Sequence, residues 1–398
     1  MVNKTLLGAF RWANLEGLVC LGAAVLFIPL FAYAIGILGI ITIYFIILVG
    51  ILLLYAAQLL LSRAASVPKQ PGGTGAPYAL EGRHVLITGG SRGIGYAIAM
   101  EAVKRGAALI TLVARDPAAL QDAQGKLLHK ADALGAAVRV QTVTADLMDP
   151  AAATECLDLA VLLKGVVKQS KAWRDEAERP RAPIEIFFCN AADVDPRPLC
   201  ATGASNIQRA VATNLCTPIL QVKHVLPSMI EAGFGAICFS NSLAAFVPIY
   251  GFAAYSATKS ALKAFAEAIN QEVAGVGVLV ANAFMPSVNT PGYLREKEVR
   301  HKLTEILEET SKVKQPEEAA ERLVGHLEAG HRVITIDFEG WVLARLNAGF
   351  SRAESFASLF YEFFMSGIFR LVCVGLSLQF YSIIAREQPA ALRRTKLA

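Results

Sequence analysis

The chain has 398 residues and a formal net charge of +5, with 18% of its residues charged and 54% hydrophobic. Charge spread this thinly gives no support to nucleic-acid binding, while the apolar excess points to lipid. The length accommodates one large α/β domain of about 250 residues with extensions at both ends.

The first extension is apolar. Residues 17–62 contain no Asp, Glu, Lys or Arg, which exceeds the roughly 18 to 25 residues of one bilayer span and is too long for a cleavable signal. One straight helix of that length would extend about 69 Å against a hydrocarbon core of about 30 Å. Residues 1–64 are therefore expected to form a membrane segment with two spans, turning at Gly36 and Gly39. Lys4 and Arg11 before the run, and Arg63 and Lys69 after it, place both ends on the cytosolic side. One long tilted span with an interfacial stretch is the alternative. Residues 65–80, rich in Pro and Gly, read as a flexible linker.

A folded domain is expected over residues 81–340. Apolar runs at Val85–Ile87, Leu109–Val113, Val138–Val143, Ile184–Phe188, Ala236–Phe239, Val278–Ala281 and Val333–Ile336 are separated by helix-length segments, which predicts a doubly wound parallel sheet. Asp146, Asn190, Ser242 and Pro286 fall just after strand candidates, where such sheets bind ligands. Residues 164–181 carry six basic and three acidic residues and read as a solvated helix and loop. Residues 293–328 alternate charges at helical spacing and are expected to be surface helices beside a substrate cleft.

In the last segment, 341–398, Ser355, Ser358, Glu362, Ser366, Arg370 and Ser377 recur as one polar stripe on an otherwise apolar run. They predict an amphipathic helix to about Ile384 that lies in the membrane interface or packs on the soluble domain. The interface is favoured because Arg370 is costly at a bilayer centre, with Phe356, Phe360, Phe363, Phe364 and Phe369 available to lipid. The seven cysteines and six histidines show no metal-ligand or redox spacing, and the cysteines are expected to be reduced and mostly buried. After Asn3 there is no N-glycosylation signal.

The chemistry is concentrated in two places. Thr88-Gly89-Gly90-Ser91-Arg92-Gly93-Ile94-Gly95 follows an apolar strand candidate, and its glycines permit a tight strand-to-helix turn that presents backbone N–H groups to a pyrophosphate. Tyr255 and Lys259 are four residues apart on one helical face, so that the ammonium is expected to lower the phenol pKa, and Ser242 is expected to hold the substrate oxygen. Together these residues point to nicotinamide-dependent carbonyl chemistry.

From Gly82 to about Val342 the chain resembles the short-chain dehydrogenase/reductase family, in Thr88-Gly89-x-x-x-Gly93-x-Gly95 and in Ser242 thirteen residues before Tyr255. The resemblance implies a Rossmann-like domain, Asp146 against adenine, Asn214 as a fourth catalytic residue supporting a water relay to Lys259, and Pro286 with Thr290 against the nicotinamide carboxamide. The family's Asn-Asn-Ala-Gly run appears as Cys189-Asn190-Ala191-Ala192. An NAD site places an acid after the second strand, whereas this chain has Arg115 there and Arg92 in the glycine turn, so NADPH is the expected cofactor. A narrower likeness, in Gly251–Lys259, in Pro286–Gly292, in Glu309-Thr310-Ser311 and Lys314–Glu317, and in Gly367–Ile384, is to the membrane reductases of sphingolipid synthesis. It implies a long-chain keto-lipid substrate at the cytosolic face of the endoplasmic reticulum. The alternatives are a reductase of steroids, retinoids or 3-ketoacyl thioesters, or a non-catalytic lipid-binding scaffold. The bilayer is an expected partner, and a second copy in a homo-oligomer is left open.

Overall fold

The computed structural model describes Gly39, residues 44–46, 49–50, 76–161, 183–309, 312–348 and 355–395. The expected membrane hairpin and linker fall almost wholly outside the described residues, as do the charged segment 164–181 and Thr310 and Ser311. Two compact units divide the chain, Met1–Ala64 and Ala65–Ala398, and all the elements named below belong to the second.

All seven expected strands form: β1 (His84–Thr88), β2 (Leu109–Ala114), β3 (Arg139–Thr144), β4 (Ile186–Cys189), β5 (Gly235–Ser242), β6 (Val278–Met285) and β7 (Val333–Thr335). They make one parallel sheet in the order β3-β2-β1-β4-β5-β6-β7. The order reverses between β1 and β4, which opens a crevice at the strands' carboxyl ends. The helices are α1 (Gly93–Lys104), α2 (Pro117–Leu134), α3 (Pro150–Val161), α4 (Ala204–Val211), α5 (Thr217–Ala232), α6 (Ala253–Glu272), α7 (Pro291–Val299), α8 (Lys302–Glu308), α9 (Pro316–Glu328), α10 (Phe338–Leu346) and α11 (Phe356–Thr395).

Successive strand residues point to opposite faces, so β1 sends Val85 and Ile87 to one helical layer and Leu86 to the other. Ile98 of α1, Leu127 of α2 and Leu323 of α9 fill the first layer, and Leu157 of α3, Val225 of α5 and Leu262 of α6 fill the second. Both faces of a parallel sheet are thus buried, and its central strands are apolar throughout for that reason. The fully buried Phe187, Phe188 and Phe239 at its centre each contribute about 1.5–3 kcal/mol of burial.

Several boundaries differ from the sequence expectation. Tyr78 and Leu80 are buried in the core, and Tyr78 N–H donates to Glu328 O at 3.1 Å, so packing begins inside the range read as a linker. Helix α9 is not a surface helix: Ala319, Ala320, Leu323, Val324 and Leu327 are buried, and it packs on α1. Its charged positions mark only the solvent side of a core helix. Of the six described cysteines, all free, Cys156, Cys189 and Cys238 are buried, but Cys200 and Cys216 are exposed.

Helix α11 continues past the expected end at Ile384 to Thr395. It contains one stretch, Met365–Ile384, that is long and apolar enough to cross a membrane, with mean hydropathy 1.6 and no part of it buried. It contacts α8 and α10. Glu362 accepts from Arg345 at 2.9 Å, and Arg370 and Ser377 line the cleft at the carboxyl ends of the strands. Phe369, expected to meet lipid, instead meets Trp341 edge-on at 6.2 Å.

Candidate active site

One cavity of about 1340 Å³ lies at the carboxyl ends of the strands. Gly89, Ser91, Arg92, Gly93 and Ile94 line it after β1, Arg115 after β2, Asp146 after β3 and Asn190 after β4. Ser242 ends β5, Tyr255 and Lys259 stand on α6, and Pro286 and Thr290 follow β6, and all of them line it. Gly95 and Asn214 are not among the described lining residues.

Backbone geometry explains the glycine spacing. Gly89 and Gly93 adopt φ of 65° and 58°, a region that disfavours residues with a Cβ. A Cβ at Gly95 would stand 2.3 Å from Gly89 O and 2.6 Å from Asn190 Nδ2, so this glycine acts by letting α1 approach the turn. Thr88 Oγ1 accepts from Asn190 N–H at 3.0 Å and Ala191 N–H at 3.2 Å, and Asn190 Nδ2 donates to Thr88 O at 3.2 Å. These bonds tie the ends of β1 and β4 together at the crevice. Arg92 and Arg115 are the basic residues flanking this turn, a donor set suited to a phosphate beyond the pyrophosphate. Thr290 Oγ1 caps α7 by accepting from Tyr293 N–H at 3.1 Å, and a Cβ at Gly93 would stand 3.1 Å from Thr290 Cγ2. The post-β6 loop and the glycine turn are thereby packed directly against each other.

Tyr255, Ser242 and Lys259 come together as expected, but their electrostatics differ from the expectation. Burial pushes the Tyr255 phenol above its ordinary value; a hydrogen bond with Ser242 opposes this, and Glu296 and Glu308 reinforce it. Lys259 Nζ is 5.7 Å from the ring centre and donates to Ser240 O at 2.8 Å, and burial pushes its own pKa down to about 8. Desolvation is the largest influence on both groups. A protonated phenol is the state a proton donor requires, and the upward direction of the shift favours it.

Asn214 sits in a π-helical turn, Ala212–Cys216, between α4 and α5. Its Oδ1 accepts from Asp193 N–H at 2.7 Å, and its Nδ2 donates to Asp193 O at 2.8 Å and Thr258 Oγ1 at 3.3 Å. A single widened turn of this kind recurs at functional sites. Here it fixes the loop after β4 against α6, one residue behind Thr213, which lines the cavity. Cys189, at the first position of the altered Asn-Asn-Ala-Gly run, is buried in β4, and burial keeps its thiol protonated. Ala192 is exposed on the cavity wall.

The short chain dehydrogenase family profile matches residues 83–300. The chain belongs to that family. It is 29% identical over 310 residues to the zebrafish (Danio rerio) protein named 3-dehydrosphinganine reductase, covering 78% of this chain and 88% of that one. The same identity over 310 residues relates it to bovine (Bos taurus) 3-ketodihydrosphingosine reductase, again covering 78% and 88%. Among solved structures, a short-chain dehydrogenase from Sphingobium yanoikuyae in complex with NADPH superposes with a TM-score of 0.53 at 24% identity, covering 67% of this chain and 91% of its own. A 3-oxoacyl (acyl-carrier-protein) reductase from Agrobacterium tumefaciens with NADP bound has a TM-score of 0.52 at 24% identity, covering 65% and 94%.

Three parts of the site are absent from the sequence reading. Asn241 is buried and donates to Lys259 O and Asn282 Oδ1, both at 3.1 Å, while its Oδ1 accepts from Ser242 N–H at 2.9 Å, so it sets the distance between serine and lysine. Its place beside Ser242 was the available signal. Arg300 joins Glu296 and Glu308 in a triad whose arginine side chain is 2% exposed, and burial pushes Glu308 up to about 7. Both glutamates line the cavity, although their spacing reads as an ordinary charged helix face. The third part is the wall contributed by α10 and α11.

Proposed function

We propose that this short-chain dehydrogenase catalyses the NADPH-dependent reduction of 3-ketodihydrosphingosine to dihydrosphingosine in sphingolipid biosynthesis. The observation that carries the reading is the Ser242–Tyr255–Lys259 constellation on the cavity wall, in which Ser242 and the half-buried Tyr255 face the cleft and the buried Lys259 stands behind them. The printed names of the zebrafish and bovine relatives support the substrate.

The glycine turn and the start of α1 receive the pyrophosphate, Arg92 and Arg115 the 2′-phosphate, and Asp146 the adenine. Pro286 and Thr290 meet the carboxamide. When bound, NADPH supplies the hydride. Ser242 Oγ donates to the carbonyl oxygen and holds it beside Tyr255, which delivers the proton to the oxygen as negative charge develops there. Lys259 holds the ribose, and Asn214, through its π-turn, supports the supply of the next proton.

The same reading places residues 1–64 in the endoplasmic reticulum membrane as a two-span hairpin, followed by the linker, with the reductase domain over 81–340 facing the cytosol. Residues 341–398 form a membrane-associated region. A homo-oligomer is compatible with this arrangement. The test is NADPH oxidation by purified protein with 3-ketodihydrosphingosine, a steroid ketone, a retinoid and a 3-ketoacyl thioester. The sphingoid ketone is expected to be reduced fastest, and Tyr255→Phe is expected to lower that rate by roughly 10²–10⁴-fold. Preference for the thioester or equal rates across the panel would reject the substrate, and full activity of Tyr255→Phe would reject the mechanism.

A further inference from the structure

Helix α11 has two unlike faces, and the catalytic cavity reaches one of them. Arg370, Cys373, Ser377, Phe380 and Ile384 line the cavity at spacings of three and four. Ile368, Leu371, Val372 and Leu378 lie on the opposite side, about 180° away on the helix, and are exposed, Leu371 by 74% and Leu378 by 66%. Leu343 and Leu346 of α10 line the same cavity. The cavity therefore extends beyond the reacting groups into a trough that is apolar at its far end. Along α11, from Arg370 to Ile384, the trough runs about 21 Å at 1.5 Å per residue. That is longer than the ~15 Å depth of one leaflet of a bilayer's hydrocarbon core.

Resting on the reductase reading above, we propose that α10 and the inner face of α11 form the binding site for the substrate's single alkyl chain, and that the outer face of α11 lies in the bilayer surface. The chain then passes sideways from lipid into the trough while its polar end stays at Tyr255. A spanning role for α11 does not fit this arrangement. Glu362 is paired to Arg345 of α10, and Arg370 faces the cleft, so one side of the helix is committed to the catalytic domain. A helix with one polar side held by protein and one bare apolar side suits the plane of the interface. Basic Arg386, Arg393, Arg394 and Lys396 follow the apolar stretch in the sequence, as an anionic lipid surface favours.

The test separates the two faces. Single-chain 3-keto bases of about 6 to about 12 carbons, kept below aggregation, are assayed with NADPH; for the wild type, kcat/KM is expected to rise with each added CH₂ by up to about fourfold, the ratio equivalent to ~0.8 kcal/mol. Leu346→Asp and Phe380→Asp are expected to flatten that rise, lowering the long-to-short ratio at least tenfold. Ile384→Asp, at the far end of the trough, is expected to flatten only its upper part. A Leu371→Glu/Leu378→Glu double variant is expected to keep the wild-type rise and to lose at least tenfold in rate on long-chain substrate presented in vesicles of phosphatidylcholine and phosphatidylserine. An unchanged rise in the three inner-face variants overturns the chain site, and an unchanged vesicle rate in the outer-face variant overturns the lipid contact. Both results leave the reductase reading standing, whereas a wild type that reduces no keto base at any length overturns that reading itself.

Discussion

Lys259 carries a measurable cost. Its ammonium is buried, and its pKa falls from 10.5 to about 8, a difference of about 2.5 units or roughly 3 kcal/mol at 1.36 kcal/mol per unit. The folded pKa is depressed, so below about pH 8 the lysine is protonated in both states and the folded state bears the full cost of the buried charge. Between about 8 and 10.5 the unfolded chain binds more protons, and stability rises with pH as that cost is relieved. Between pH 7 and pH 9.5 the relief amounts to about 2 kcal/mol, or ~4–8 °C in melting temperature for a domain of this size. Lys259→Met removes the titration. It also leaves Ser240 O without its 2.8 Å donor, an offset that does not change with pH. Melting temperatures of the wild type and Lys259→Met in one detergent at pH 7 and 9.5 check the argument, because other groups that titrate in this range cancel in the comparison. The wild type should gain about 4–8 °C relative to the variant at the higher pH, while the variant loses reductase activity. A difference that stays constant within about 1 °C would refute a desolvated Lys259.

Arg115→Asp should weaken NADPH by roughly 1–3 kcal/mol with a smaller effect on NADH, measured by fluorescence titration; unchanged constants for both would place the 2′-phosphate elsewhere. Gly95→Ala forces a Cβ to within 2.3 Å of Gly89 O, so α1 must shift, at a cost of about 1–3 kcal/mol in stability and a loss of dinucleotide affinity. Normal affinity in Gly95→Ala would show that the turn does not need this close approach. Tags before Lys4 and after Ala398 should both be protease-accessible on the cytosolic side of sealed microsomes, and a protected N-terminus with an accessible C-terminus would support one span instead of two.

The strands were legible because a parallel sheet covered on both faces demands uninterrupted apolar runs, and Val85–Ile87 or Leu109–Val113 cannot serve any solvated element. The far end of β5 was not: Ser240, Asn241 and Ser242 look like a loop, yet they pair with Ala283, Phe284 and Met285 because the ladder to β6 satisfies their backbone groups. Of the thirteen residues expected to form the site and found on the cavity wall, each was marked by a local motif or by its place after a strand, which the chain order alone supplies.

What the sequence by itself determined was therefore periodicity, motif spacing and the apolar excess of both extensions, all of which are local. Periodicity in 355–384 showed that α11 has two unlike faces, but which face meets protein depends on Arg345, Trp341 and the cleft, which are distant along the chain. Tertiary structure paired Glu362 of the polar stripe with Arg345, buried Arg300 between Glu296 and Glu308, and drove the Lys259 pKa down. Each of those outcomes is set by desolvation, and a group's exposure to water is a property of the packed whole that no sequence neighbour encodes.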